Sequence, residues 1–403
     1  MRLVEGNILL SASDLIGHLN CRHLTQLDLE VIRGSRTKPF RADPFLESLA
    51  ERGRQHEEAY IQHLRAQGRS VVEIGGKGFD AVSANETLAT MKRGADVIVQ
   101  APFLQGPWGG RADVLLRVEK PSALGAWSYE VADTKLAQET RGGTILQLCL
   151  YSELLGKLQE RSPETAYVVT PETGYQPQQY RIAEFSAYYR RIKRLAEQAV
   201  LAEQAAPTYP DPNPHCDVCR WSVECDRRRR RDDHLSLVAG ISKGQIQELG
   251  RHQVATTTSL AKLALPLLWK PDRGSVQSYE KVHHQARIQV AGREAGRILY
   301  ENLAAEPGFG LALLPEPTPG DIFFDLEGDP FVPGGGREFL FGYALRNPNG
   351  ELAYEGKWCL TPDAEKKAFE DFIDFVIERR KQHPQLHVYH FAPYEPAALK
   401  RLM

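Results

Sequence analysis

Apolar residues recur three and four apart in some stretches of the chain and two apart in others, and these two periods separate its helices from its strands. Helical spacing runs through residues 11–34, SASDLIGHLNCRHLTQLDLEVIRG, which open on candidate serine caps and close on Gly34. The pattern predicts one helix carrying Cys21. A second helical stretch, LESLAERGRQHEEAYIQHLRAQG near 46–68, carries His56 and His63. Three strand-like runs follow, ADVIVQAPF, GRADVLLRVE and WSYEVADTK, separated by Gly/Pro-rich turns. TILQLCLYSELLGKLQ then reads as a helix, AYVVT and QQYRIA as strands, and EFSAYYRRIKRLAEQAVLAEQAA as a long helix. Elements in this order predict an α/β core with added helices.

A proline-studded segment at 207–214 leads into HCDVCRWSVEC, and an arginine run at 227–231 follows it. Two short helical patterns around Gly250 come next. They predict a small helical-hairpin module, which is either a linker or a turn that offers backbone N–H groups to a phosphate. From 321 the pattern changes again: GDIFFDLEGDP, EFLFGYALRN and ELAYEGKWCL read as strands, PDAEKKAFEDFIDFVIERRKQ as a helix, LHVYHFA as a strand and PYEPAALKRLM as the start of a helix. The expected domains are therefore 1–235, 236–315 and 316–403.

Composition adds constraints. A chain of 403 residues, 42% apolar and 25% charged, is globular in class. No apolar run approaches the roughly 20 residues that span a bilayer, and MRLVEGNILLSASD lacks the basic-then-apolar layout of a signal peptide, so a cytoplasmic protein with no membrane partner is expected. With 50 Lys and Arg against 52 Asp and Glu, any site for nucleic acid must be local. Six cysteines in such a chain read as metal ligands or buried thiols rather than disulfides.

Strand alternation places Asp133 and Lys135 of EVADTK on one face, at the end of the apolar positions Trp127, Tyr129 and Val131. Such a pair is costly on an apolar face without partners or work. Asp113, on the neighbouring run, supplies a second carboxylate, and two converging carboxylates suit Mg²⁺ or Mn²⁺. The lysine could orient a water or stabilise charge on a phosphate under attack. Gln147 and Tyr151 form an i, i+4 pair on the next helix, and His56 is a further candidate ligand. Glu130 falls on the opposite strand face and receives no role.

This ordered series, His56, Asp113, Asp133-Thr-Lys135, Gln147-xxx-Tyr151, resembles the RecB-type branch of the PD-(D/E)XK nucleases. The resemblance implies a restriction-endonuclease-like core, with a metal site from the helical His, the strand Asp and the D/ExK strand. The QxxxY helix would contact DNA and support the site. Asp133 stands where many members carry Glu. The implied activity is hydrolysis of DNA, with single-stranded ends as substrate, in repair, recombination or defence.

The spacing of Cys216, Cys219 and Cys225 allows two metals. Zinc would take His215 or His234 as its fourth ligand, whereas an iron–sulfur cluster needs a fourth cysteine, for which Cys21 is the candidate. The family resemblance bears on this. Some RecB-like nucleases, of the AddB type and among CRISPR-associated exonucleases, carry one cysteine before the core and a CxxCxxxxxC set after it, which together hold a [4Fe–4S] cluster. That implies Cys21, Cys216, Cys219 and Cys225 as ligands of a clasp, with Cys149 and Cys359 as buried hydrophobes.

In IFFDLEGDP, Asp325 and Glu327 alternate onto one strand face. With the elements after it this DxE resembles the RNase H-like exonucleases of the DEDD class, and Glu395 stands where a second-motif Asp is usual. A second metal site from Asp325, Glu327 and Glu395 is implied, with the third motif expected beyond Met403 and the domain therefore partial. Nucleases of this layout are commonly fused to a helicase. This chain contains no GxxxxGK[ST] loop, so a helicase is expected only as a partner, in a longer polypeptide or in trans. A non-catalytic nucleic-acid-binding module with a zinc knuckle is the rival expectation, and catalysis by the RNase H-like part alone is another.

Overall fold

The computed structural model describes residues 1–403 apart from Lys77, Gln138, Glu139, 203–206, Pro333 and Pro348. The chain is mixed α/β and divides into two compact units, Met1–Asn302 and Leu303–Met403.

The first unit opens with a hairpin, β1 (Arg2–Val4) and β2 (Asn7–Leu9), which sequence periodicity alone did not reveal. The expected single helix over 11–34 is two, α1 (Ala12–Asn20) and α2 (Arg22–Ile32). Cys21 is the reason. Its backbone is extended, with φ −157° and ψ 111°, and its sulfur accepts the Leu24 N–H at 3.4 Å, so it ends one helix and caps the next. Apolar spacing continues across the break, which hid it. The long α3 (Pro44–Ala66) starts at an Asp43 cap with proline at its first position. After β3 (Val71–Glu73) comes α4 (Ala81–Arg93), which ends on Gly94 at φ 76°.

The three expected strands are β4 (Val97–Gln105), β5 (Trp108–Val118) and β6 (Ser128–Thr134). The crossover helix α5 (Gly142–Gln159) leads to β7 (Thr165–Val169), β8 (Gln178–Arg181) and α6 (Ile182–Leu201). The reading of α6 as running on to 206 ends outside the described residues. These strands form one mixed sheet in the order β3-β4-β5-β6-β7-β8. The run β4-β5-β6 is antiparallel, whereas β6 and β7 are parallel, as a helical crossover between them requires.

The sheet is buried on both faces. One face packs Ile98, Phe103, Leu115, Tyr129 and Val131 against α5, α1 and α6, and the other packs Val99, Val114, Leu116 and Ala132 against Tyr60 and Leu64 of α3. The α5 helix lies inside this sandwich, with Leu146, Leu148, Leu150, Leu154 and Leu155 all buried. Cutting Leu148 back to alanine should cost about 2–5 kcal/mol of stability.

Beyond α6 the chain forms α7 (Ser222–Arg231), α8 (Lys243–Arg251), α9 (Thr257–Ala261) and α10 (Val276–Glu294). The last three share a small core of Leu235, Leu249, Leu260, Tyr279 and Ala286, so the segment around Gly250 has apolar packing of its own inside the first unit.

The second unit holds β9 (Ile322–Asp329), β10 (Arg337–Arg346), β11 (Leu352–Trp358), α11 (Pro362–Gln382), β12 (Val388–Tyr389) and α12 (Tyr394–Leu402). Its sheet runs β11-β10-β9-β12, with β12 parallel to β9. Ile322, Phe324 and Leu326 pack on Phe372 of α11. Among the described residues no helix of either unit is long and apolar enough to cross a membrane.

Candidate metal centre and cysteine clasp

The register that pairs Val114 with Ala132 carries Asp113 to the position opposite Asp133. The two carboxylates therefore face each other across one ladder. Asp113 Oδ2 accepts the Thr134 N–H at 3.3 Å, and Asp133 Oδ1 accepts the Gln147 amide at 3.1 Å. Lys135 Nζ lies 2.7 Å from Asp133 Oδ2, an ion pair that brings positive charge onto this buried oxygen. The Asp133 side chain is only 1% exposed.

Burial, and then the Asp113 charge, push the Asp133 carboxyl well above its usual range, against the pull of Lys135. For Lys135 burial acts downward, but Asp133 and Asp113 outweigh it and hold the ammonium above its ordinary value. The site is electrostatically short of cations.

Tyr151 closes the floor. Its ring lies so close over β5 that a Cβ at Gly110 would stand 2.6 Å from Tyr151 Cε1, which makes glycine necessary there. The Arg111 backbone N–H donates to its hydroxyl, yet burial and the two aspartates still raise its pKa. Both motif residues of α5 thus reach the paired aspartates, Gln147 by a direct bond.

His56 arrives from α3 at the same end of the sheet. Its Nε2 donates to the Val169 carbonyl at 3.1 Å, and the same oxygen accepts the Lys135 N–H at 3.0 Å. That bond fixes the proton on Nε2 and leaves Nδ1 as the nitrogen with a lone pair. Among the described residues no hydrogen bond or ion pair joins His56 to Asp113 or Asp133, and no three His, Cys, Asp or Glu side chains are gathered closely enough to hold one metal ion. His63 stacks on Tyr175, 4.9 Å between ring centroids, and Tyr175 also stacks on His56 at 6.2 Å.

Two residues that motif spacing missed belong to this site. Glu57, beside His56, is raised in pKa by burial and by Asp113, with the Gln100 amide bond and Lys135 opposing. Gln100 donates to Glu57 from the strand position opposite Asp113, and it does so at φ 53°. A left-handed, non-glycine residue inside a strand is strained, and such strain persists where surrounding structure enforces it. The acidic pair in RQHEE was a visible signal for Glu57. Nothing in the sequence marks Gln100.

The chemistry of these residues, oxygen donors with three carboxylates against one ammonium, suits a hard divalent cation, although among the described residues they are not gathered closely enough to hold one.

Cys21, Cys216, Cys219 and Cys225 line one small apolar cavity with Leu24 and Trp221. Three of the sulfurs meet backbone N–H groups: Leu24 donates to Cys21 at 3.4 Å, Asn213 to Cys216 at 3.5 Å, and Trp221 to Cys219. Sulfur atoms that carry charge use such donors. Burial and then the neighbouring cysteines push Cys225 up to about 11, and burial raises Cys219 against the Trp221 N–H. The Cys219 and Cys225 thiols thus resist ionisation until a cation joins them. The chemistry of these residues suits a thiolate-bound centre, although among the described residues the cysteines share a cavity without being gathered to the closeness that one metal ion needs. His215 also lines the cavity, whereas His234 packs at a tilt against Tyr209 and bonds Ser236. Cys149 and Cys359 are buried, at 2% and 0% exposure.

Ordinary contacts join the segment around Cys21 to the segment around Cys216–Cys225. The fully buried Trp221 donates to Asp28 at 2.9 Å, His23 meets Thr208 at 2.7 Å, and Arg41 donates to the Cys219 and Asp217 carbonyls at 3.1 and 2.6 Å. The arginine run lies in α7, where Arg228, Arg229, Arg230 and Arg231 all pair with Asp226 or Asp232. Arg229 is buried on the Pro210 carbonyl.

In the second unit Asp325 and Glu327 project from the exposed face of β9 and form no hydrogen bond or ion pair among the described residues. Glu395 is buried in the first turn of α12, its Oε2 3.5 Å from His390 Nδ1 and without a hydrogen bond. No described contact joins it to Asp325 or Glu327.

No protein-family model matches this chain, and no curated protein matches it in sequence.

Proposed function

We propose that the first unit is a metal-dependent DNA nuclease of the RecB-like PD-(D/E)XK class. The observation that carries this reading is the cross-strand pair of Asp113 and Asp133, buried, flanked by Lys135 and bonded by Gln147. The metal reading draws on the same geometry: paired strand carboxylates, a lysine two residues on and a glutamine from the following helix have the character of an Mg²⁺ or Mn²⁺ site. When bound, the metal would supply Lewis acidity and a lowered water pKa.

The chain's own residues do the rest. Asp113 and Asp133 hold oxygen ligands in place, with Gln147 fixing the rotation of the Asp133 carboxylate. Lys135, kept protonated, offers charge to the phosphate under attack and a donor to the water. His56 lies at the rim as a further ligand through its free nitrogen, and Tyr151 holds the aspartate strand against α5. The substrate proposed is single-stranded DNA.

The four cysteines are assigned to a [4Fe–4S] clasp. Its role is closure of a chain segment of nearly 200 residues rather than redox chemistry. For the second unit the reading is RNase H-like, with Asp325 and Glu327 as its acidic pair.

The test is degradation of end-labelled single-stranded DNA with Mg²⁺ or Mn²⁺ and with EDTA. Activity should need the metal and vanish in Lys135→Ala. Digestion by that variant at the wild-type rate would remove the assignment, and loss in Asp325→Ala alone would move catalysis to the second unit.

A further inference from the structure

The α6 helix has one committed face and one free face. Tyr189, Ile192, Ala196 and Val200 are buried in the core. On the other side stand Tyr188, 54% exposed, and the exposed Arg190, Arg191 and Arg194. None of these three arginines makes a hydrogen bond or an ion pair among the described residues. The helix has carboxylates, but they are engaged: Glu184 pairs with Arg181 at 3.1 Å, and Glu197 accepts the Trp108 indole N–H at 2.6 Å. Its lysine, Lys193, is turned inward onto Glu153 at 2.7 Å.

The contrast with α7 is informative. There four arginines share two aspartates, Asp226 within the helix and Asp232 at its C-terminal end. On α6 three guanidinium groups lie within five residues and repel one another without compensation. The chain as a whole carries a formal charge of −2, so this is a local concentration of positive charge and not a general surplus. From Tyr188 to Arg194 the stripe runs about 9 Å along the helix axis. Guanidinium groups match phosphate geometry, and a partly exposed tyrosine offers a ring on which a base stacks.

We infer that the free face of α6, Tyr188 with Arg190, Arg191 and Arg194, binds the phosphate backbone of single-stranded DNA. The inference rests on the nuclease reading for the identity of the polyanion and assigns the surface on which the strand is held. It makes binding separable from cutting.

The experiment uses the full chain and a fluorescent oligo-dT of about 20 nucleotides, followed by anisotropy across a salt series. Arg191→Glu/Arg194→Glu should bind at least about tenfold more weakly at low salt, and the slope of log K against log salt should shrink by about 1.4, about 0.7 for each phosphate left without its guanidinium. The milder Arg191→Gln/Arg194→Gln should move both quantities the same way with an unchanged circular dichroism spectrum, which excludes misfolding. Tyr188→Ala should weaken binding and leave the slope alone.

Equal affinity and slope in the arginine variants overturns the inference, as does wild-type protein that ignores the oligonucleotide and binds phosphatidylserine vesicles. The two readings fail separately. A strand bound through α6 but never cut sinks only the nuclease assignment, and a strand cut normally by the arginine variants with unaltered binding sinks only this one.

Discussion

Asp113 and Asp133 stand opposite each other on adjacent antiparallel strands, and the Thr134 N–H that follows Asp133 donates to Asp113 at 3.3 Å. The strand pairing itself thus holds two carboxylates together that would otherwise repel. The cost is visible in Asp133, raised in pKa first by burial and then by Asp113. Replacing Asp133 by the isosteric asparagine removes that repulsion. Asp133→Asn should therefore lose DNA cleavage while melting at the wild-type temperature or a few degrees above it in metal-free buffer. A variant that melts well below wild type would mean that the carboxylate stabilises the fold, contrary to the site's charge balance.

Gln147 is the directed donor to Asp133 Oδ1 and lies on the buried crossover helix. In the proposed site its work is orientation. Gln147→Ala should reduce cleavage about 10- to 100-fold, the usual range for a partner that orients a ligand, with little change in DNA affinity. Titrating the metal separates the possibilities: a raised metal requirement is expected, and wild-type metal dependence with normal rate would leave Gln147 without a role.

Much of this site was legible because its residues sit on regular elements. Asp133 and Lys135 share a strand face by period two, and Gln147 and Tyr151 share a helix face by period 3.6, so spacing alone put each pair together. Asp113 was placed as a neighbouring-strand partner, and the register carries it to the facing position. Glu57 and Gln100 escaped because their contact depends on one left-handed residue in β4, and a φ of 53° leaves no trace in apolar patterning. The helix break at Cys21 escaped differently: the continuous apolar stripe of α1 and α2 conceals it. The same holds for β1, β2 and β3, each only three residues long and too short to show a period.

Glu153 gives a pH test that does not depend on function. Burial works against its charge, but bonds from Lys193, Tyr189 and Lys157 prevail and bring its pKa down to about 2 from an ordinary 4.5. The sign follows from linkage: a carboxyl with a depressed folded pKa stabilises above its unfolded pKa, and that contribution is lost as pH falls towards the folded value. Glu153→Gln should therefore be less stable than wild type at pH 7, and the gap should close between about pH 4.5 and 2. Urea midpoints for both proteins at several pH values provide the check. A gap independent of pH would point to lost packing instead of lost charge.

The proposed cysteine clasp makes the strongest claim about composition. Four sulfurs from two distant parts of the chain line one cavity, three of them already served by backbone N–H groups. Protein purified without oxygen should be brown, with broad absorption near about 400 nm and four irons per chain. Cys21→Ser should bleach it, since the only sulfur donated from outside the CxxCxxxxxC array is then gone, and should lower stability by about 3–5 kcal/mol through the reopened loop. Contacts such as Trp221 to Asp28 should keep the variant folded at low temperature, so the loss remains measurable. A colourless wild type with one zinc per chain would instead point to a three-cysteine site completed by His215, which also lines the cavity. In that case His215→Ala should release the metal and Cys21→Ser should not.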